Sequence, residues 1–343
     1  MSTLDRPLLV TSLTNIRYLI GFTGTSAFLY VTPDDATFLT DGRYGEIAAD
    51  LVDRVPATAL SVYKRGLYDR LMDLFDGAQT VQLEATDISW QTKRALARKF
   101  DGALEASAGI VERLRGRKDA DEVAALRAAA AAGDHAFAAF NEFSTEEITE
   151  EGLAESLVAA MKDAGGKRAG WAPIVASGRN SARPHHRAGP DRLDDGLLLL
   201  DYGCVVDGYH SDMTRTVWRG PGPQGEYVRV HAAVLEANEA GIAAIRPGVS
   251  AGSVDHAARN VLASYGLEET FLHSTGHGLG LEIHEAPSIR RGSEELLEPG
   301  NVVTVEPGAY LQGDFGVRIE DMVLVTEDGN EVLTLADKEF QTQ

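Results

Sequence analysis

Four carboxylates stand in apolar, strand-like stretches of the sequence. Asp201 ends a run of leucines at 197–200, and Asp212 follows 11 residues later. Glu306 ends a second apolar run, and Glu320 lies inside a third. An acid in a buried strand loses its hydration shell, which is costly unless a positive group compensates the charge. Four such acids therefore predict a polyanionic pocket that holds a cation.

The segment between the first two acids favours this interpretation. Residues 206–209, Val-Asp-Gly-Tyr, predict a hairpin turn, so adjacent strands could place Asp201 and Asp212 side by side. Like charges a few ångströms apart cannot both stay ionised without a cation between them. One buried acid is more often a salt-bridged structural residue, but the fourfold repetition favours a shared cation site.

Five of the nine histidines fall into two clusters: His185 and His186 form one, and His273, His277 and His284 form the other. Glycines on both sides of His277 leave its backbone free to approach an ion closely. Carboxylates with one imidazole suit Mn²⁺, Fe²⁺ or Co²⁺ better than a structural Zn²⁺. Paired ions about 3.5–4 Å apart are a common arrangement for hydrolysis.

The remaining candidates carry weaker signals. His135, His231 and His256 fall in predicted helices and are expected at the surface, whereas His210 is ambiguous. Cys204 lies between apolar neighbours and is expected to be an inert buried thiol. The sequence has no His-Glu-x-x-His pair and no phosphate-binding Gly-x-x-x-x-Gly-Lys motif.

Composition excludes several classes of partner. The formal charge of −20 argues against nucleic acid or anionic membrane, because both would be repelled. No apolar run approaches the roughly 18 residues that span a bilayer, and the first residues lack the pattern of a signal peptide. A single cysteine rules out an intrachain disulfide and fits a reducing compartment, so a cytoplasmic location is expected.

The elements that must position these residues fall into two parts, as the length of 343 residues favours. In the first part, a hairpin is predicted over 27–40, a strand over 81–84 and a helix over 90–100. Residues 113–118 form a basic, glycine-containing connector.

The second part shows two rounds of paired helices with short strands between and after them, a hint of internal duplication. The predicted helices span 119–143, 149–164, 226–245 and 251–265.

With these elements in place, the sequence resembles the pita-bread metallopeptidases, a family that includes methionine aminopeptidase, aminopeptidase P and prolidase. The order and spacing of five residues match the metal ligands of that family: Asp201, Asp212, His277 in Gly-His-Gly-Leu-Gly, Glu306 in Val-Glu-Pro-Gly and Glu320 in Arg-Ile-Glu-Asp. This resemblance covers most of residues 119–335.

Residues 15–24 and 39–44 resemble the creatinase/prolidase-type N-terminal domain, which proline-directed members carry and methionine aminopeptidases lack. The resemblance implies an α+β fold with a smaller α/β N-terminal domain over 1–112 and a linker at 113–118. Residues 119–343 would form the pita-bread catalytic domain, with duplicated αα-ββ units around a curved antiparallel sheet.

The resemblance also implies a ligand set for two divalent ions. Asp212 and Glu320 would bridge both ions, His277 and Glu306 would complete one site, and Asp201 would complete the other. Mn²⁺ is the expected metal, with Co²⁺, Fe²⁺ and Zn²⁺ as alternatives.

Further roles follow from the same resemblance. Glu306 would move a proton from the attacking water to the leaving nitrogen. His284, with His273 or His185, would bind the scissile carbonyl and steady the tetrahedral intermediate. Arg318 would bind substrate.

One departure from the family pattern affects the histidines. The spacing between Gly196 and Asp201 is usually one residue longer, which leaves open whether His185 or His186 enters the site. We favour His185.

The expected function is that of a metallo-exopeptidase that cuts the Xaa-Pro bond of short proline-containing peptides, as an Xaa-Pro aminopeptidase or an Xaa-Pro dipeptidase. A homodimer is expected. The alternatives are a creatinase-like hydrolase without metal and a non-catalytic binding module on the same fold, but both have lost parts of the ligand set. The choice between aminopeptidase P and prolidase, the native metal and the preferred residue before proline stay open.

Overall fold

The computed structural model describes residues 4–140 and 148–340, which fall into two units, Met1–Leu114 and Arg115–Gln343. The strands of the first unit are β1 (Leu8–Val10), β2 (Ala27–Val31), β3 (Ala36–Asp41), β4 (Thr58–Tyr63), β5 (Thr80–Glu84) and β6 (Ala103–Ser107). Its helices are α1 (Leu13–Ile20), α2 (Gly45–Val52), α3 (Leu67–Leu74), α4 (Trp90–Ala97) and α5 (Ile110–Gly116).

The first unit is an α/β structure, as expected. Its strands form one mixed sheet in the order β4-β3-β2-β1-β5-β6. The predicted hairpin is β2–β3, an antiparallel pair, whereas β1–β5, β3–β4 and β5–β6 are parallel. Buried side chains on both faces of this sheet, including Leu9 and Val10, form its core.

The second unit contains all the candidate site residues. Its helices are α6 (Ala120–Phe140), α7 (Glu150–Asp163), α8 (Glu226–Ala244) and α9 (Ala251–Ser264). Its strands are β7 (Arg168–Ala169), β8 (Ile174–Ser177), β9 (Gly196–Tyr202), β10 (Cys204–Val206), β11 (Tyr209–His210), β12 (Met213–Arg219), β13 (Gly276–Gly278), β14 (Glu285–Ile289), β15 (Val302–Val305), β16 (Gly308–Tyr310), β17 (Gly316–Arg318), β18 (Asp321–Val325) and β19 (Asn330–Val332).

Two helix pairs cover the antiparallel strands of this unit. Phe137 of α6 and Leu157 of α7 share one apolar core with β9, and Ala237 of α8 and Ala258 of α9 share a second with β17. The hydroxyl of Thr149 begins α7 by accepting a hydrogen bond from a backbone N–H, as its sequence indicates. All strand pairs in the described part of this unit are antiparallel.

The strands form separate sheets in the orders β12-β9-β8, β11-β10-β7, β14-β13-β15-β18-β19 and β16-β17. A single β-bridge joins the first of these sheets to the segment between β17 and β18. There the backbone N–H of Glu320 donates to the carbonyl of Thr214 at 3.1 Å. The two halves of the unit therefore meet at residues next to the candidate acids.

Some expectations change in the structure. Residues 113–116, assigned to a connector, belong to helix α5, and residues 141–143 of the predicted first helix lie outside the described residues. His231 was expected at the surface, but it is buried and stacks on Phe340 with ring centroids 3.7 Å apart. His231 lies on the face of α8 that packs into the apolar core. The burial of the neighbouring apolar side chains outweighs the cost of burying one imidazole. The proposed domain boundaries stay a prediction.

Among residues 4–140 and 148–340, none of the helices combines the length and apolar character needed to cross a bilayer.

A buried ion pair fastens β12 to β18. The guanidinium of Arg215 donates to Asp321 Oδ1 at 2.8 Å and to the carbonyl oxygens of Glu320 and Ala336 at 2.6 and 2.9 Å. Both side chains of the pair are about fully buried, at 1% and 0% exposure. Lys338 adds a contact to the other oxygen of Asp321 at 3.1 Å. The carboxylate thus has two cationic partners, which offset its loss of hydration.

Asp321→Asn is expected to lower the free energy of unfolding of the second unit by about 3–5 kcal/mol, because it leaves a buried guanidinium without a countercharge. Urea denaturation of chelator-treated protein measures the change. The matched control is Glu331→Gln, which removes a half-exposed pair with Arg127 and should cost less than about 1 kcal/mol. Equal losses in the two variants would contradict the assignment.

Candidate metal centre

Strand pairing brings the first two acids together. Asp201 on β9 pairs with Thr214 on β12, and Asp212 lies two residues before Thr214. Side chains alternate along a strand, so Asp212 and Thr214 point to the same face. Asp212 is 6% exposed, and its backbone N–H donates to the sulfur of Met322 at 3.4 Å. The adjacent-strand prediction therefore holds, with the register supplied by β9 and β12.

The second pair of acids follows from the same logic. β15 and β18 are antiparallel, and Val305 pairs with Asp321. Glu306 and Glu320 are the next residues beyond that pair, so they leave the sheet side by side. Thr214 donates its hydroxyl to Glu320 Oε2 at 2.7 Å, which links the second pair of acids to the first.

His277 on β13 completes the cluster. Its Nε2 lies 3.6 Å from Asp212 Oδ2 and 3.5 Å from Glu306 Oε1. Its Nδ1 donates to the carbonyl of Gly278 at 3.0 Å, so in the neutral ring the lone pair of Nε2 faces the acids. A carbonyl that fixes the tautomer in this way is typical of metal-binding histidines.

The glycines beside His277 are sterically required. A Cβ added to Gly276 would meet the carbonyl oxygen of Thr304 at 2.0 Å, and one added to Gly278 would meet that of Ala286 at 2.2 Å. β13 lies between β14 and β15, and any side chain would separate these strands. The predicted close approach of the backbone thus serves strand packing around the imidazole.

Burial sets the electrostatics of the acids. It raises the pKa of Asp201, raises that of Glu306 to about 7, and raises those of Asp212 and Glu320 well above the ordinary range. At Glu306, Asp212 and Glu320, repulsion by neighbouring carboxylates raises the pKa further, in addition to the loss of hydration. The guanidinium of Arg318 lowers all four values but does not cancel the rise.

The pKa values of the buried imidazoles shift in the opposite direction, below their ordinary range. Burial lowers the pKa of His277 to about 4, and His284 adds to the effect. Burial lowers the pKa of His273 to about 3, with a further contribution from Arg318. Both rings are therefore neutral at pH 7, the form in which an imidazole binds a metal or accepts a hydrogen bond.

These residues fit a divalent cation. Oδ1 of Asp201 is buried and has no hydrogen-bond partner within the described residues, although its Oδ2 accepts from Arg318 at 2.6 Å. Asp212, His277 and Glu320 each offer a ligand atom, and these atoms lie within 4.8 Å of one another. Hard oxygen donors with one imidazole suit such an ion, and a cation would relieve the repulsion that raises the carboxylate pKa values.

All nine residues predicted for the site line one cavity of about 630 Å³: His185, Asp201, Asp212, His273, His277, His284, Glu306, Arg318 and Glu320. The structure thus brings together every candidate, although their individual roles stay predictions.

The adjacent histidines His185 and His186 lie in different environments. His185 is an exposed residue that lines the cavity, whereas Nε2 of His186 lies 2.7 Å from Glu150 Oε2. Glu150 is buried and also accepts from Ser177 and Asn180. His186 therefore makes a structural contact with Glu150, and His185 is the histidine of the two that lines the cavity.

A relay of hydrogen bonds connects Arg318 to His273. Nη1 of Arg318 donates to the Tyr310 hydroxyl at 2.7 Å, and that hydroxyl lies 2.9 Å from His273 Nε2. His273 Nδ1 donates to the carbonyl of Ser274 at 2.8 Å, so Nε2 accepts from the tyrosine. Sequence reasoning missed Tyr310, since nothing in its own surroundings marks it. It also missed Thr214, which the alternation from Asp212 could have revealed.

Buried cations hold the loop that carries His284. Glu285, the next residue, accepts from Arg115 Nη2 at 2.5 Å and from Lys118 Nζ at 3.3 Å. Its carboxylate also accepts the backbone N–H of Glu282 at 3.0 Å. Three nearly buried side chains therefore fix the loop beside the cavity.

The fold and the site together define a metallopeptidase. The chain belongs to metallopeptidase family M24, whose family model matches residues 124–327. The creatinase/prolidase N-terminal domain matches residues 7–116. The family predicted from the sequence is confirmed.

Relatives match over nearly the whole chain. The uncharacterized peptidase YqhT of Bacillus subtilis is 36% identical over 339 residues, which cover 97% of this chain and 94% of that protein. The Xaa-Pro dipeptidase structure from Bacillus anthracis is 34% identical with a TM-score of 0.94 and covers 98% and 95% of the two chains. The X-Pro aminopeptidase structure from Thermotoga maritima is 30% identical with a TM-score of 0.88, covering 98% and 97%. The predicted α+β pita-bread fold is confirmed.

Adding Mn²⁺ to chelator-treated protein is expected to raise the melting temperature, because an ion that binds only the folded chain stabilises it. At a free-ion concentration 100 times Kd the gain is about 2.7 kcal/mol, or a shift of about 5–10 °C. Asp212→Ala should abolish the shift, whereas the control Asp163→Ala, at an exposed helical acid, should retain it. Scanning calorimetry measures both, and an unchanged shift in Asp212→Ala would remove this residue from the centre.

Proposed function

We propose that this chain hydrolyses the bond that precedes proline, in Xaa-Pro dipeptides or at the N-terminus of longer peptides. The observation that carries the proposal is the convergence of four buried or partly buried acids, four histidines and Arg318 on one cavity. The names of its relatives, an Xaa-Pro dipeptidase and an X-Pro aminopeptidase, support the proline specificity.

Two divalent ions, with Mn²⁺ as the first choice, would be held by the five residues of the cluster. Asp212 and Glu320 would be shared by both ions, His277 and Glu306 would complete one site, and Asp201 would complete the other. The buried oxygen of Asp201 that lacks a hydrogen-bond partner in the described chain supports this assignment. When bound, the ions supply Lewis-acid activation of water and of a carbonyl group.

The side chains around the cluster would handle substrate and protons. Glu306 accepts a proton from the attacking water and delivers it to the proline nitrogen, which leaves as a secondary amine. His284 and His185, exposed along the cavity, can donate to the scissile carbonyl oxygen as charge develops there. His273, held between Tyr310 and a backbone carbonyl, is the more constrained third histidine.

Arg318 has a position that suits two tasks. Its guanidinium contacts Asp201 and Tyr310 and lines the cavity wall. It orients the Asp201 carboxylate, and it can offer positive charge to a peptide in the cavity. The buried bond to Asp201 makes positioning the better supported of the two roles.

The alternatives are less favoured. A creatinase-like hydrolase without metal would leave four buried carboxylates with Arg318 as their main countercharge, a costly arrangement. A binding module without catalysis would not need the complete ligand set that this chain retains. Neither alternative explains the fixed tautomer of His277.

We further propose a cytoplasmic location, supported by a single free cysteine, Cys204, which is buried. The homodimer expected from the family resemblance stays a prediction, and analytical ultracentrifugation tests it.

The decisive assay compares an Xaa-Pro dipeptide with an Xaa-Pro-Xaa tripeptide on Mn²⁺-loaded protein. We expect release of the first residue from at least one of them, because the cavity offers both residues that would hold metal ions and histidines that can donate to a carbonyl oxygen. Cleavage of only the dipeptide assigns a dipeptidase, and cleavage of the tripeptide assigns an aminopeptidase. An Ala-Ala-Ala peptide is the control for proline specificity. Cleavage of none of these peptides would overturn the proposal.

His284→Ala should lower kcat by about 10²–10³-fold, the usual effect of removing one donor to a developing oxyanion. Metal content, measured by elemental analysis, should stay that of the wild type, because His284 is not among the assigned ligands. His135→Ala, at an exposed position on α6, is the matched control and should retain full turnover. Loss of metal from His284→Ala would mean that its role is misassigned.

A further inference from the structure

A second cavity, of about 720 Å³, borders the metal pocket. Pro184 lines both cavities. Tyr310 lines the second one, and its hydroxyl accepts a hydrogen bond from Arg318, which lines the first. The two spaces therefore share a wall, and the second has the volume of a small-molecule site.

Two arginines line the second cavity. Arg179 and Arg183 are exposed, and across residues 4–140 and 148–340 neither guanidinium has a hydrogen-bond or ion-pair partner. The lining includes one acid, Glu269, in a chain whose formal charge is −20. Guanidinium groups bind carboxylates through paired, charge-assisted hydrogen bonds. This cavity is thus suited to an anion.

The backbone that presents the arginines is fixed. Arg179 lies in a short 3₁₀ helix, Gly178–Ala182, and Asn180 of that helix donates to the buried Glu150 at 2.9 Å. Ser181 accepts the backbone N–H of Gly316 at 2.9 Å. Arg183 follows the helix, and its own N–H donates to the carbonyl of Asn180. Because this backbone is already fixed, the protein loses less conformational entropy when a ligand binds to the arginines.

The adjacency of the two cavities bears on the length of a bound peptide. An extended chain advances about 3.3–3.6 Å per residue, so each residue after the proline moves the C-terminal carboxylate further from the metal pocket. The second cavity is adjacent to that pocket, since Pro184 lines both, and it can therefore receive the C-terminal part of a longer peptide. Leu272 and Leu311 give the second cavity an apolar flank for the added side chains.

We propose that the cavity lined by Arg179 and Arg183 binds the C-terminal carboxylate of peptides that extend one or two residues beyond the proline. This inference rests on the proposed function and deepens it, because it makes tripeptides and tetrapeptides with a free C-terminus the preferred substrates.

The test compares Ala-Pro, Ala-Pro-Ala-Ala and Ala-Pro-Ala-Ala amide on Mn²⁺-loaded wild type and on the Arg179→Gln/Arg183→Gln double variant. Hydrogen bonds to charged groups contribute about 1.5–3 kcal/mol, so the double variant should raise KM for the free tetrapeptide about 10–150-fold. KM for the amide and for the dipeptide should change less than about 3-fold, since neither places a carboxylate between the arginines, and kcat should persist.

Arg246→Gln, at an exposed arginine outside both cavities, is the control for a general loss of positive charge and should leave all three substrates unaffected. An equal rise of KM for acid and amide, or cleavage of the dipeptide alone, would overturn the inference while the proposed function stands. Competition by inorganic phosphate without an acid–amide difference would assign the cavity to a free anion and would also overturn it.

A binding experiment separates failure of the two proposals. Calorimetry of chelator-treated protein with the tetrapeptide acid and its amide needs no turnover. Tighter binding of the acid, lost in the double variant, supports the carboxylate site even if no peptide is cleaved. Equal binding of acid and amide would contradict the site whatever the activity.

Discussion

Repulsion among buried carboxylates is the constraint around which the second unit is organised. Four acids lie at strand ends within one cavity, and burial together with their mutual charge raises the pKa values of Asp212 and Glu320 well above the ordinary range. Only strong local structure can hold such groups together. The pairing of β9 with β12 and of β15 with β18 provides it, and the Arg215–Asp321 pair fastens the two halves beside the cluster.

The chemistry of the site depends on how the neutral and charged groups are distributed. Imidazoles with lowered pKa values stand next to carboxylates with raised ones, and the Arg318 guanidinium lies between Asp201 and Tyr310. A divalent ion would offset the repulsion among the acids, and the neutral imidazole is the form in which His277 can bind one. The same arrangement that is costly without a cation is therefore selective for one.

The sequence predicted the acids and His277 because each stands against a strong local background of apolar or glycine residues. It predicted the helix pairs from propensity and capping, and both domains were recognisable from short motifs. Contacts between distant segments were beyond its reach. Three features depend on tertiary packing and are not indicated by the neighbouring residues in the sequence. They are the contact of Tyr310 with His273, the contact of Glu150 with His186 and the burial of His231.

The loop before β14 carries a consequence for the behaviour of the protein in solution. Glu285 and its partners Arg115 and Lys118 have side chains exposed by 4% or less. Dissolved ions screen exposed charges over about 8–10 Å but reach such interior contacts poorly. Concentrated salt should therefore weaken the exposed ion pairs of this acidic chain more than these contacts, and the loop that carries His284 should keep its shape at high ionic strength.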